Sequence, residues 1–110
     1  PNLILACLTM EDMDRHPDKR RQFAEYLMGV QSLAAAIQNL LLAAHAEGLG
    51  TCWFCAPLFC QRTVKEVLKI PESFEPQALI TIGYPAETPE APVRKPLKSV
   101  LHRNYWEEEK

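Results

Sequence analysis

Glycine is scarce, four residues in 110, and none is arranged as a phosphate-binding loop. No serine sits in the sharp strand–turn–helix setting of a hydrolase nucleophile either. One-sided charge is also missing. The formal net charge of −2 points away from nucleic acid and from anionic membrane surfaces. No apolar run looks as long as the ~18–20 residues that cross a bilayer, so no membrane segment is expected. A secretory leader is not expected, because Pro1 opens directly into a strand-like run without an initiator Met. Such a start suggests a processed or truncated product. Four cysteines, Cys7, Cys52, Cys55 and Cys60, are too unevenly clustered for a secreted disulfide framework. A reducing, cytoplasmic setting is expected.

What is present is ordinary globular chemistry, 47% hydrophobic and 24% charged, in a chain sized for a single domain over 1–110. Its organising stretch is VQSLAAAIQNLLLAAHAEGLGTCWFCA at 30–56. Val30, Leu33, Ala34, Ile37, Leu40, Leu41 and Ala44 keep the i, i+3, i+4, i+7 spacing of a helix face. Leu42 and several alanines extend the apolar surface, which predicts a helix buried on several sides in a core or subunit interface. Gln31, Gln38 and His45 form its narrow polar stripe. Gly48 and Gly50 sit where a left-handed glycine would stop the helix, and His45 is placed to meet its last carbonyls.

The remaining elements follow in order. Asn2 to Thr9 reads as a strand buried on both faces. The charged stretch from Glu11 to Arg21 reads as a solvated loop. Asp18 is positioned to cap a short helix to about Leu27, with Phe23, Tyr26 and Leu27 on one face; Gly29 separates it from the main helix, one bent helix being the alternative. Thr51 to Cys55 is extended, β-branched and aromatic. Gln61 to Ile70 predicts a helix with Val64, Val67 and Leu68 inward and Arg62, Lys65, Glu66 and Lys69 outward, stopped by Pro71. Gln77 to Tyr84 is a second strand, with Gly83 marking a bend or a close approach to the backbone. A proline-rich extended arm occupies 86–110 and ends in solvent at EEEK. Two main strands are too few for an independent sheet, so more sequence or a partner is required.

Taken together, AIQNLLLAAHAEGLGTCW at 36–53, LITIGYP at 79–85 and RKPLKSVLHRNYW at 94–106, in that order, resemble the C-terminal portion of the nitroreductase-like FMN-dependent oxidoreductases. NLILACLT at 2–9 is similar to the strand before that family's core helix. The resemblance implies an α+β fold with helices on a central sheet, here an incomplete version. It implies a homodimer formed through the helix at 30–47 and the C-terminal arm, with FMN sites at the interface. It also implies ping-pong reduction of nitroaromatic, quinone or flavin-like acceptors by NAD(P)H. A full-length member carries an N-terminal Arg-Ser-x-Arg-type motif for the flavin phosphate, and these 110 residues contain none. A flavin-free dimerisation fragment is therefore the alternative.

Flavin chemistry asks the protein for an apolar wall, backbone N–H donors and positive charge, because the ring system carries the reaction. By resemblance, Trp53 and Phe54 pack near the ring and the Cys55–Ala56 backbone lies near its N5. Arg94 and Lys95 meet the phosphate, for which a guanidinium fork is suited, and Gly83 allows a close backbone approach. The plainer readings are core aromatics, a solvated basic pair and a strand-end bend. Cys52-x2-Cys55-x4-Cys60 also admits a metal-binding module, although small packed hydrophobes are the simpler reading. A catalytic-acid role is the minor reading for His45; His16 falls in the charged loop and His102 in the arm.

Overall fold

The computed structural model describes residues 2–106 and has the order β1 (Asn2–Thr9), α1 (Lys19–Ala46), β2 (Gly50–Phe54), α2 (Gln61–Leu68) and β3 (Phe74–Gly83). Short 3-10 turns follow β2 at Ala56–Phe59 and interrupt the arm at Leu97–Ser99. The stretch 51–54 becomes a true third strand. Strand β3 is central, with β1 and β2 antiparallel on either side. The sheet therefore exceeds the two main strands expected, because β2 borrows its stability from β3 instead of standing alone.

Strand β3 starts three residues earlier than the sequence suggests and contains Pro76, which is fully buried. Proline cannot donate to a ladder and belongs at bulges. The register shifts at Ala6/Cys7, opposite Pro76.

Helix α1 is a single helix of 28 residues, not two pieces divided at Gly29. Asp18 caps it as anticipated, accepting from the Arg21 N–H at 2.9 Å, and its other carboxylate oxygen meets Arg21 Nε. Gly29 is there for packing. A Cβ at that position would lie 3.0 Å from Met10 Sδ and 3.3 Å from Leu8 Cδ1. The helix stops at Gly48, φ +76°, with Gly48 N–H donating to His45 O and Leu49 N–H to Ala44 O. That is the paired bonding of a Schellman end.

One stripe of α1 covers one face of the sheet, where Ile37, Ala78 and Ile80 form the core with Ile4, Ala6, Leu33, Leu40 and Leu41 around them. Burial on several sides is not seen. Only Glu25, Gly29, Ile37 and Ala44 are buried, and Phe23, Leu27, Met28 and Leu42 are exposed. A lone helix on a three-stranded sheet has one face to hide. Nor is the helix too short for a bilayer. By length and composition α1 could cross a membrane, with mean hydropathy 1.5 over its best window, because Leu27 to Ala44 carries no charge. The same properties suit a core helix, and Ile37 and Ala44 do pack in this one.

Strand β1 is buried at Leu8 and half-buried from Ile4 to Cys7, on both faces, while Leu3 near its start is exposed. Helix α2 ends two residues early, at left-handed Lys69. Its Val67 and Leu68 face outward, while the Lys65 side chain is largely covered. Lys65 Nζ donates to Glu72 O at 2.6 Å and pairs with the Glu72 carboxylate, which anchors the turn before β3. Pro1 and the EEEK terminus lie outside the described residues.

Truncating Ile37 to Ala should cost about 2–5 kcal/mol of stability by opening a core cavity, read from urea unfolding. The Arg21 N–H, and then the Arg21 side chain, hold the Asp18 carboxyl below its ordinary value. The capping stability is therefore complete above the unfolded value near pH 4 and lost as pH falls through the lowered one. An Asp18→Ser cap, which does not titrate, should lack this part of the acid decline in a urea midpoint–pH series.

Candidate functional site

The edge strand β2 and the turn after it carry the residues singled out in the sequence. Directly paired residues share a sheet face. Trp53 pairs with Ile80, on the face that α1 covers, whereas Phe54 pairs with Leu79 on the opposite face. The two aromatics are therefore separated by the strand and cannot both lie flat against one ring. Each is partly exposed, Trp53 at 36% and Phe54 at 43%.

The chain turns at Cys55 into the Ala56–Phe59 helix, where Pro57 is buried. Leu58 N–H donates to Cys55 O at 3.0 Å, and Cys60 Sγ lies 3.5 Å from Ala56 O. Both carbonyls are thus engaged. Among the described residues, no backbone hydrogen bond outside the helices and strands uses the Cys55 or Ala56 N–H. Two neighbouring donors stand at the end of an edge strand beside half-exposed aromatics. That arrangement fits hydrogen-bond acceptors on the rim of a planar ring system.

Gly83 pairs with Gly50 where β2 and β3 begin to part. Beyond it, 84–89 forms one wall of an open groove of about 610 Å³ that His45, Cys52 and Thr81 also line. His45 is in the last turn of α1 as anticipated, and its place on this groove had no signal in the sequence. Arg94 and Lys95 are exposed in the arm, and among the described residues neither enters an ion pair.

The cysteines are less buried than packed hydrophobes would be. Cys52, Cys55 and Cys60 are exposed and Cys7 is half-buried, all as free thiols. Among the described residues no three His, Cys, Asp or Glu side chains converge on a metal site.

A polar cluster behind the sheet was invisible in the sequence. The Glu75 carboxylate accepts from Tyr26 Oη at 2.5 Å, Gln77 Nε2 at 2.6 Å and Gln61 Nε2 at 3.3 Å. Tyr26 is 49 positions from Glu75, too far for any local pattern. The hydrogen bond to the Glu75 carboxylate, then burial, pushes the Tyr26 phenol up from its ordinary value. Nearby, His16 Nε2 lies 3.2 Å from Oε2 of buried Glu25. The Glu75 cluster ties both helices to the sheet, and the His16–Glu25 pair ties the loop after β1 to α1.

The family model described as "Nitroreductase family" matches residues 3–84. This chain belongs to the nitroreductase family. Among curated relatives, it is 34% identical over 101 residues to the oxygen-insensitive NADPH nitroreductase of Salmonella typhimurium, covering 87% of this chain and 42% of the relative. It is 33% identical over 84 residues to a Cr(VI) reductase of a Pseudomonas strain, covering 76% of this chain and 35% of the relative. The chain thus spans less than half the length of either relative. Among solved structures, Bacillus megaterium NfrA1 superposes with a TM-score of 0.72 at 31% identity, over 76% of this chain and 34% of that one. The NADPH:FMN oxidoreductase of Vibrio harveyi, solved with NAD+, has a TM-score of 0.76 over 98% of this chain and 48% of its own. At 24% identity that likeness speaks for the fold. The α+β arrangement of this portion is the nitroreductase fold, three strands and the long helix included.

Burial, only partly offset by the Lys65 charge, pushes the Cys7 thiol up, and the thiolate is the reactive form. In a timed iodoacetamide reaction read by mass spectrometry, Cys7 should therefore be alkylated more slowly than Cys52, Cys55 and Cys60.

Proposed function

We propose that the polypeptide containing these residues is an FMN-dependent oxidoreductase that takes electrons from NADH or NADPH. It passes them to nitroaromatic, quinone or flavin-like acceptors in ping-pong order. The observation that carries this reading is the pair of adjacent N–H groups at Cys55 and Ala56 at the end of the edge strand, which among the described residues enter no backbone hydrogen bond outside the helices and strands. Family membership and the names of the relatives support it.

FMN, when bound, supplies the acceptance and release of hydride. The Cys55 and Ala56 N–H groups donate to acceptors on the ring rim, and their orientation is held by the Leu58–Cys55 hydrogen bond and the buried Pro57. Either Trp53 or Phe54 provides the apolar wall; the other secures the strand from its opposite face. Gly83 offers bare backbone next to the site. Arg94 and Lys95 hold the phosphate, and their exposure leaves both cations available.

The exposed apolar residues of α1 and of the arm, Leu97, Val100, Leu101, Tyr105 and Trp106 among them, support a homodimer built through the helix at 30–47 and the arm. Four free thiols fit a reducing cytoplasm, and residues 1–110 then form the C-terminal portion of one domain.

A second reading, a flavin-free dimerisation portion, is favoured by the absence of an Arg-Ser-x-Arg-type phosphate motif from these 110 residues. A visible absorption spectrum after gel filtration with FMN separates the two, since retained flavin bands exclude the second. With FMN retained, Arg94→Ala should raise the FMN dissociation constant by about tenfold or more, the scale of one lost charge-assisted hydrogen bond. Unchanged affinity in a fluorescence titration would remove Arg94 from the site.

A further inference from the structure

The arm leaves the sheet at a close contact with a glycine. A Cβ on Gly50 would stand 3.2 Å from Pro85 Cβ, 3.5 Å from Pro85 Cα and 3.7 Å from Gly83 O. Carbon atoms prefer about 3.5–4.0 Å, so a Cβ at position 50 is tighter than an ordinary contact and requires Pro85 to shift by a few tenths of an ångström. Gly50 has no positive φ that would require glycine for its own backbone. Its missing side chain is explained by what lies against it.

From this geometry we infer that Gly50 is a positioning residue. Its bare Cα seats Pro85 on the first pair of the β2–β3 ladder and so sets the direction in which the arm, with Arg94 and Lys95, leaves the sheet. The seat is rigid on both sides. Gly50 is held by its pairing with Gly83, and two residues before it Gly48 closes the Schellman end of α1. The arm beyond is stiff as well. Pro85, Pro89, Pro92 and Pro96 fall within twelve residues, and Pro96 has the polyproline angles φ −59°, ψ 141°. A proline-rich segment extends about 3.1 Å per residue and keeps its direction over several residues. The nine steps from Pro85 to Arg94 then make a lever of up to about 28 Å, and a tilt of about 5–10° at its root moves the basic pair by several ångströms. Gly50, Gly83 and Pro85 also line the groove between β2 and 84–89. That the arm's direction matters for flavin phosphate rests on the functional reading above; that Gly50 sets the direction does not.

The test measures direction and binding separately. Keto amino acids are placed at exposed Thr63 on α2 and at exposed Val93 in the arm, carry nitroxides, and leave the cysteines untouched. Pulsed electron resonance then gives the distance distribution in the full-length protein. Gly50→Ala should shift or broaden that distribution by several ångströms with little change in melting temperature. Thr51→Ala, which adds no atom, should leave it alone. An unchanged distribution in Gly50→Ala overturns the inference. Should Gly50→Ala fail to fold, Pro85→Gly removes the same contact from the other side, and an unchanged distribution there overturns it equally. FMN titration of the same variants provides the second readout. A dissociation constant raised about fivefold or more alongside the moved arm supports both readings. A moved arm with unchanged FMN affinity leaves Gly50's role standing and removes Arg94 and Lys95 from the phosphate site.

Discussion

Strand β3 is the element on which the rest of the structure depends, because it alone is hydrogen-bonded on both edges. Ile80 at its middle is fully buried, pressed between the flanking strands and the Ile37 stripe of α1. Burying an isoleucine is worth roughly 1.5–3 kcal/mol, and here that contact also fixes which face of each strand is inside. The strand tolerates Pro76 because the ladder is already irregular opposite it. Its carbonyl is not wasted, since Gln61 Nε2 donates to Pro76 O at 2.7 Å. Just before it, the Glu75 carboxylate gathers donors from α1, α2 and β3. Apolar packing at one end of β3 and a polar knot at the other hold both helices to the sheet.

Placing β3 in the centre makes β2 an edge, and an edge strand leaves backbone donors and acceptors without a neighbour. Proteins usually blunt such edges. Here β2 is only five residues long and runs straight into a 3-10 turn anchored by buried Pro57. The placing of the Cys55 and Ala56 N–H groups follows from that arrangement and owes nothing to the identity of their side chains. On the function proposed above, the most specific contacts to the flavin are made by backbone, which leaves little mark on the sequence.

The regular elements were legible because local rules governed them. The bounds of β1, the Asp18 cap and the Gly48 stop depend on residues within a few positions of one another, and the structure has all three as the sequence suggests. Where long-range packing intervened, local reading failed. Gly29 looks like a break, but Leu8 and Met10 approach it from another element. Val67 and Leu68 keep helical spacing, yet the covered residues of α2 are Gln61, Val64 and Lys65.

The sequence by itself determined the family, the order of the elements and the chemical character of the stretch after Gly50, because these reside in ordered motifs and local periodicity. Only the tertiary structure decided that Trp53 and Phe54 face opposite sides of the sheet, that α1 buries a single stripe, and that Gly50 makes room for Pro85. Each of these depends on register or on approach between residues distant along the chain. A one-residue change in pairing reverses every face of a strand, and the composition of the strand does not record that choice.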